Sequence, residues 1–358
     1  MEGLDALAPA PRILAVPSDK KSATLWHGYL AAAAVAVAAF SAHQYYTPVS
    51  AAILAVLLGA MLRNFSLVPI KALEGCRRLV RQVLPITIIL TGATLNLMDA
   101  ARGLPYLLVV MTAITVGTGI ALAVGRLLGA SWKTSLLVGA GTSICGNSAI
   151  ISVAPVIRAT DEDLLHSIST INIVGLALMV VLPVVGHTLG MSQDAFGVWA
   201  GATGHAVPQA IATGLAFGPE GGALATLVKL MRVALLAPFV LVLALLARKP
   251  EGEPQTVSYF SLLPPFLWGF ALLAVLNTLG LLPEVTFRPL GSSVPIVAAT
   301  AKSLAELGNL MLILSMAAMG LEVNIRQLLR SGGPALLTGF VVSVLQCGAT
   351  LLVIRLLL

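Results

Sequence analysis

Long apolar runs follow one another along the chain, separated only by short polar or Gly/Pro-containing links such as Met98-Asp99-Ala100-Ala101-Arg102-Gly103. A helix that crosses a bilayer needs about 20 apolar residues. Runs of about that length fall at about 25–42, 49–66, 82–98, 103–127, 133–155, 165–188, 195–216, 223–247, 259–281, 293–322 and 333–356, eleven in all. The short alternating segments of a membrane β-barrel are not seen. The pattern predicts an all-α polytopic membrane protein with about eleven transmembrane helices. The run at 293–322 is long enough to be tilted, broken or partly interfacial. Residues 1–24 read as a short cytoplasmic tail, without the basic-then-apolar layout of a leader, and 25–358 as one transmembrane domain.

Composition agrees. Of 358 residues 58% are hydrophobic and 10% charged, whereas a soluble domain carries about 25% charged residues. The net charge of +6 is explained by its placement. Lys20 and Lys21 precede the first run, Lys71, Arg77, Arg78 and Arg81 follow the second, Arg126 and Lys133 the fourth, Arg248 and Lys249 the eighth, and Arg326 and Arg330 the tenth. With eleven crossings all of these share one side. The other side receives Asp99, Arg102, Arg158, Asp161-Glu162-Asp163, Glu220, Glu284 and Arg288. Basic residues accumulate in cytoplasmic links, so the N terminus is expected inside and the C terminus outside. The basic balance is thus a topology signal and no nucleic-acid partner is expected. Cys76, Cys145 and Cys347 have no metal or redox spacing, and no cofactor or metal is expected.

Two runs are interrupted by residues that a spanning helix does not favour. The first contains Gly139-Ala140-Gly141-Thr142-Ser143-Ile144-Cys145-Gly146-Asn147-Ser148. Glycine costs about 1 kcal/mol in a helix interior relative to alanine and permits unusual dihedrals. Thr142, Ser143, Asn147 and Ser148 can satisfy freed backbone groups or cap a restarted helix. A broken helix exposes unpaired amides and a positive end suited to an anion. It must face protein or a watery cavity, because unpaired backbone in lipid is costly. Close helix packing through small residues is the alternative explanation. The second interruption is Gly201-Ala202-Thr203-Gly204-His205-Ala206-Val207-Pro208-Gln209-Ala210. Here Pro208 disfavours continuous helix, while His205 and Gln209 share a face if the chain is helical. His205 is read as a ligand-binding or protonatable group, with a buried histidine satisfied by a neighbouring carbonyl as the alternative.

Charges inside spans mark bundle interiors or transport paths. Lys229 and Arg232 are three apart near the start of the eighth run, where snorkelling to the interface is the alternative. Lys302 and Glu306 are spaced for an intrahelical pair. Three cations against one clear carboxylate favour an anionic substrate over a metal cation. The expected substrate-binding set is Thr142, Ser143, Asn147, Ser148, His205, Gln209, Lys229, Arg232 and Lys302. Asn172, which Ser169 and Thr170 accompany, and Glu306 are expected in supporting or coupling roles.

Transporters often carry inverted repeats that meet at broken helices. Residues 88–97 and 314–324 form one weak pair of opposite orientation. The stronger likeness, 139–150 to 200–211, lies two crossings apart and hence parallel, unless one segment is re-entrant.

The set Gly92–Leu97 (GATLNL), Gly141–Ile150 (GTSICGNSAI) and Gly201–Ala210 (GATGHAVPQA) resembles the UPF0324, or YeiH-like, family of sulfate exporters from the second run onward. That resemblance implies a distant relation to cation/proton antiporters and bile-acid symporters, with discontinuous crossing helices. This chain departs from the antiporter pattern. Ser143, Cys145 and Asn147 stand where an adjacent acidic pair would be expected.

The resulting expectation is no enzyme but a secondary transporter of a small inorganic or organic anion, such as sulfate or a sulfonate, in a bacterial inner membrane. H+ or Na+ are the coupling ions considered, membrane lipids are expected partners, and a homo-oligomer is open. An anion channel and a ligand-sensing membrane protein are the alternatives. No P-loop for ATP is present.

Overall fold

The computed structural model describes residues 23–45, 50–94, 104–246, 265–282, 284–287, 296–324 and 333–357. The N-terminal tail through residue 22, the second half of the GATLNL stretch and the start of the ninth run lie outside these residues.

The described helices are α1 (Ala23–Tyr45), α2 (Ala51–Asn64), α3 (Ala72–Thr91), α4 (Leu104–Leu127), α5 (Trp132–Ser143), α6 (Asn147–Val153), α7 (Asp161–Thr188), α8 (Gln193–Thr203), α9 (Val207–Leu215), α10 (Pro219–Ala234), α11 (Leu236–Leu246), α12 (Pro265–Thr278), α13 (Thr300–Glu322) and α14 (Gly333–Leu357). A 3₁₀ turn, Gly92–Thr94, extends α3. A two-stranded antiparallel ribbon, Glu284–Phe287 with Ile296–Ala299, precedes α13. It falls partly within the run read from the sequence as a long tenth span, whose described part is strand over Ile296–Ala299 and helix from Thr300. Among the described residues six helices are long and apolar enough to cross a membrane: Leu25–Tyr45, Pro105–Leu127, Asp161–Thr188, the joined Pro219–Leu246, Thr300–Glu322 and Gly333–Leu357. The protein is an all-α, multi-pass membrane protein.

The helices sort into two bundles. In the first, α1, α2, α3, α12 and α13 pack together. Small residues let their backbones approach: Gly28 lies on Ala72 and Gly75, and Gly59 and Gly320 sit between α2 and α13. The start of α1 therefore meets the start of α3, so α2 carries the chain back between them. Antiparallel packing of α3 and α13 places Gly308 against Leu90 and Arg77 within 3.5 Å of Glu322. The second bundle holds α4 to α11 and α14. Contact between the bundles runs through α9, which touches α2 and α13. At that seam Ser50 Oγ donates to the Ala212 carbonyl at 3.4 Å.

The two interrupted runs do not pass straight through the second bundle; each folds back on itself. Ser131 caps α5 by accepting from Thr134 N at 3.0 Å. It also donates to Asp163 Oδ1 at 2.7 Å. Lys133 Nζ donates to the Arg158 carbonyl at 2.6 Å. Both ends of the first interrupted segment thus lie at one end of the bundle. Thr160 and Asp163 close a capping box there, and α7 departs over 28 residues, about 42 Å at 1.5 Å per residue. At its far end His187 stacks on Phe217 with centroids 4.0 Å apart, and Phe196 stacks on Phe217 at 3.7 Å. Phe196 opens α8 and Phe217 follows α9, so the second interrupted segment also begins and ends on one side, the side opposite the first.

These contacts correct the sequence reading in two ways. The 133–155 and 195–216 runs are helical hairpins, and the segment 158–163 lies beside Lys133 instead of across the membrane from it. The hairpins also enter from opposite ends, so the likeness between 139–150 and 200–211 relates antiparallel elements. Apolar length alone cannot distinguish a span from a hairpin of two short helices, which is why the sequence pattern missed the turn.

Candidate functional site

The turns of the two hairpins meet in the middle of the second bundle. In the first, α5 ends at Ser143, and Gly146 takes φ +67 and ψ −128 before α6 begins. That left-handed φ is open to glycine and costly for a residue with a side chain. In the second, α8 ends at Thr203 and α9 restarts at Val207, with Pro208 in its first turn. A missing N–H costs nothing there, because first-turn amides lack helical partners anyway. A methyl built on Gly146 would stand 3.4 Å from the His205 carbonyl, so the two turns touch.

Lys229 and Arg232, about three turns into α10, run between them and are fully buried. Lys229 Nζ donates to the carbonyls of Ile144, Gly204 and His205, each at 2.6 Å. Arg232 Nε donates to Ser143 O at 2.8 Å. Its Nη1 reaches the carbonyls of Gly201, Ala202 and Gly204, and its Nη2 that of Thr142. The last carbonyls of a helix lack partners and carry the negative end of its dipole. The two cations therefore cap the C-terminal ends of α5 and α8. This accounts for two buried positive charges in a bundle where Asp163, at its end, is the one buried carboxylate among the described residues. Snorkelling does not describe them.

The N-terminal ends of α6 and α9 begin just beyond the same turns. Asn147 Nδ2 donates to Asn172 Oδ1 on α7 at 3.0 Å, while Asn147 Oδ1 has no partner within the chain. Gln209 Oε1 accepts from Ala206 N at 3.1 Å, and its amide packs on Gly175, one helical turn along α7 from Asn172. Asn147 and Asn172 are partly buried, Gln209 is buried and Ser148 is exposed. Asn147, Ser148 and Asn172 form the accessible edge of the turns, with Gln209 just beneath it.

Thr142, Ser143 and His205 lie behind that edge and are fully buried. Ser143 Oγ accepts from Thr118 Oγ1 at 3.4 Å. His205 Nε2 lies 3.1 Å from Ser343 Oγ on α14. Lys302 and Glu306 are elsewhere: both are exposed on the first turns of α13 in the other bundle, and they form no ion pair with each other. They do not join the hairpin turns.

Sequence reading overlooked Ser343 and Gln346, which reach the centre from α14; Gln346 Nε2 donates to the Ala113 carbonyl at 3.1 Å. The available signal was a set of polar residues, Thr338, Ser343, Gln346 and Thr350, recurring in an otherwise apolar helix. Among the described residues no group of three or more His, Cys, Asp or Glu side chains is arranged to hold a metal.

Comparison with known proteins identifies the family. Residues 27–339 match a family described as Conserved hypothetical protein 698. A UPF0324 membrane protein of Bradyrhizobium diazoefficiens is 34% identical over 288 residues, covering 80% of this chain and 78% of the relative. One from Agrobacterium fabrum is 32% identical, covering 87% of each chain. The UPF0324 membrane protein TauZ of Paracoccus denitrificans is 31% identical and covers 90% of this chain and 92% of its own. The glycines, hydroxyls and amides at the hairpin turns are the residues that carried the resemblance in the sequence, and with matches over most of the chain the protein belongs to the UPF0324, or YeiH-like, family of bacterial membrane proteins.

Proposed function

We propose that the protein is a secondary transporter of a small oxyanion, sulfate or a sulfonate, in the bacterial inner membrane. The observation that carries this reading is the polarity of the two hairpins. Their C-terminal half-ends are held by Lys229 and Arg232, and α6 and α9 begin near one another at Asn147, Ser148 and Gln209, beside Asn172 of α7. Helix N termini supply unpaired N–H groups and a positive end, which suit a negatively charged group. In this reading Asn147, Ser148, Asn172 and Gln209 contact the anion. Lys229 and Arg232 contribute potential from behind the turns without touching it, since carbonyls already engage their donors.

Two hairpins that enter from opposite sides, each followed by a crossing helix, form an inverted repeat: α5–α6 with α7, then α8–α9 with α10. Among the described helices nine then cross: α1, α2, α3, α4, α7, the joined α10 and α11, α12, α13 and α14. Removing both hairpins from the count keeps the parity, so the N terminus stays inside and the C terminus outside under the basic-link rule. The first hairpin then enters from the cytoplasm and the second from outside.

Flux of sulfate and short alkyl sulfonates into proteoliposomes tests the reading. Saturable uptake with counterflow is expected of a carrier. Unsaturable flux would make the protein a channel, and no flux of either anion under proton and sodium gradients would remove the proposal.

A further inference from the structure

At the end of the first bundle that the basic-link rule places in the cytoplasm, an apolar surface adjoins a basic one. The link from α2 to α3, Phe65-Ser66-Leu67-Val68-Pro69-Ile70, is apolar apart from one serine. It leaves α2 by a tight reversal. Ser66 takes φ +60, Ser66 N donates to the Arg63 carbonyl at 3.2 Å, and Leu67 N donates to that of Leu62 at 3.1 Å. In this kind of helix ending the residue in the place of Leu67 commonly packs back on the helix. Here Leu67 is 67% exposed, and Phe65 and Ile70 are 71% and 73% exposed. Large apolar side chains grouped at a surface mark an interaction site.

Directly after the link, α3 turns a basic face outward. Lys71, Arg77, Arg78 and Arg81 are exposed, and so is Glu74. Residues 74, 77, 78 and 81 are spaced to share one side of the helix. Arg77 is engaged by Glu322 at 3.5 Å. Arg78 and Arg81 make no hydrogen bond or ion pair among the described residues.

The depth of these arginines follows from α1. Gly28 and Gly75 bring Leu25–Gly28 of α1 level with Ala72–Cys76 of α3, and the apolar span of α1 begins at Leu25. Trp26 stands at that level, 63% exposed, and tryptophan gathers at membrane–water interfaces. Arg78 and Arg81 lie three and six residues beyond Gly75, about 4.5 and 9 Å further along α3. Their stems leave the helix on the membrane side of Trp26. Helical side chains lean toward the N terminus, so both guanidinium groups reach back to the level of lipid phosphates. Beyond them α3 becomes apolar, with Ile86 exposed, and α12 covers its far half, where Gly269 meets Ile89 and Gly92 meets Phe270.

We infer that this end of the first bundle holds an anionic phospholipid of the cytoplasmic leaflet. Its phosphate lies between Arg78 and Arg81 and its acyl chains run against the apolar surface beyond, while Trp26, Phe65, Leu67 and Ile70 seat the link in the same leaflet. Charge selects the lipid. Four cations, Lys71, Arg77, Arg78 and Arg81, face two carboxylates, Glu74 and Glu322, so the surface is positive. A zwitterionic headgroup brings its own cation to that surface and an anionic one does not. A soluble oxyanion would suit the arginines but leave the apolar side chains in water. The surface is remote in the fold from the hairpin turns, so the inference does not depend on the carrier reading.

The test titrates the full chain in neutral detergent with phosphatidylglycerol, phosphatidylcholine or inorganic phosphate, and follows thermal unfolding and lipid adducts by native mass spectrometry. Phosphatidylglycerol should raise the unfolding midpoint and persist as an adduct; the other two should do neither. Arg78→Gln with Arg81→Gln should weaken phosphatidylglycerol binding about 30-fold. Arg126→Gln removes an exposed cation at the end of α4 in the other bundle and should leave binding as it is. Equal stabilisation by phosphatidylcholine or phosphate, or unchanged binding in the double variant, overturns the inference. An equal loss in Arg126→Gln also overturns it, by reducing the effect to diffuse attraction. If the double variant does not fold, Arg78→Gln alone and the contrast between the two lipids on the wild type decide.

Discussion

Lys133 Nζ donates to the carbonyl of Arg158 at 2.6 Å, although 25 residues separate them. Twenty-five residues of continuous helix would hold the two ends about 37 Å apart at 1.5 Å per residue. The bond therefore fixes a turn between them.

Sidedness follows directly. In a cysteine-free background, single cysteines in place of Lys133 and Glu162 should react with a membrane-impermeant maleimide from the same face. Cysteines in place of Asp194 and Glu220 should react from the opposite one. Labelling of positions 133 and 162 from different faces would restore a straight crossing there.

Removal of either buried cation leaves several helix-end carbonyls without donors. Each unsatisfied buried group costs about 1–3 kcal/mol, so Lys229→Met or Arg232→Met should destabilise the detergent-solubilised protein by roughly 3 kcal/mol or more. Denaturant or thermal unfolding measures this. A near-neutral Lys229→Met would mean that the carbonyls of Ile144, Gly204 and His205 find other partners.

Asn147 and Asn172 share a hydrogen bond at the proposed anion edge. Asn147→Ala and Asn172→Ala should each reduce sulfate-induced thermal stabilisation. Their combination should be non-additive, with a coupling of about 0.5–3 kcal/mol. Strict additivity would separate the two residues functionally.

Gly175 leaves room for the Gln209 amide. An added methyl must push that amide off α7, so Gly175→Ala should weaken anion binding while costing about 1–3 kcal/mol of stability from overpacking. Gln209→Ala in the same background should recover much of the stability without recovering binding. Those two readouts separate packing from recognition.

Much of this centre is legible in the residues themselves. Gly141, Gly146 and Gly204 with their hydroxyl neighbours announce broken helices, and Pro208 marks a restart. Lys229 and Arg232 also stand out, though their role does not: a sequence shows two cations in a span but not the seven carbonyls that surround the pair. The fold-back was invisible for a related reason, since it depends on Lys133 meeting Arg158 and Phe196 meeting Phe217, contacts made only in three dimensions. The basic links still pointed to a consistent orientation because both hairpins drop out together. Lys302 and Glu306 misled because spacing and charge look alike on an exposed helical face and in a buried site.

The capping of α5 and α8 by adjacent residues of α10 has a mechanical consequence. Two half-helices tied to one rod cannot part at the centre without stranding charge and carbonyls in a dry interior. In the proposed carrier, the movement that admits solute from one side and then the other falls at the seam where α9 meets α2 and α13, leaving the clasp at Lys229 and Arg232 closed throughout.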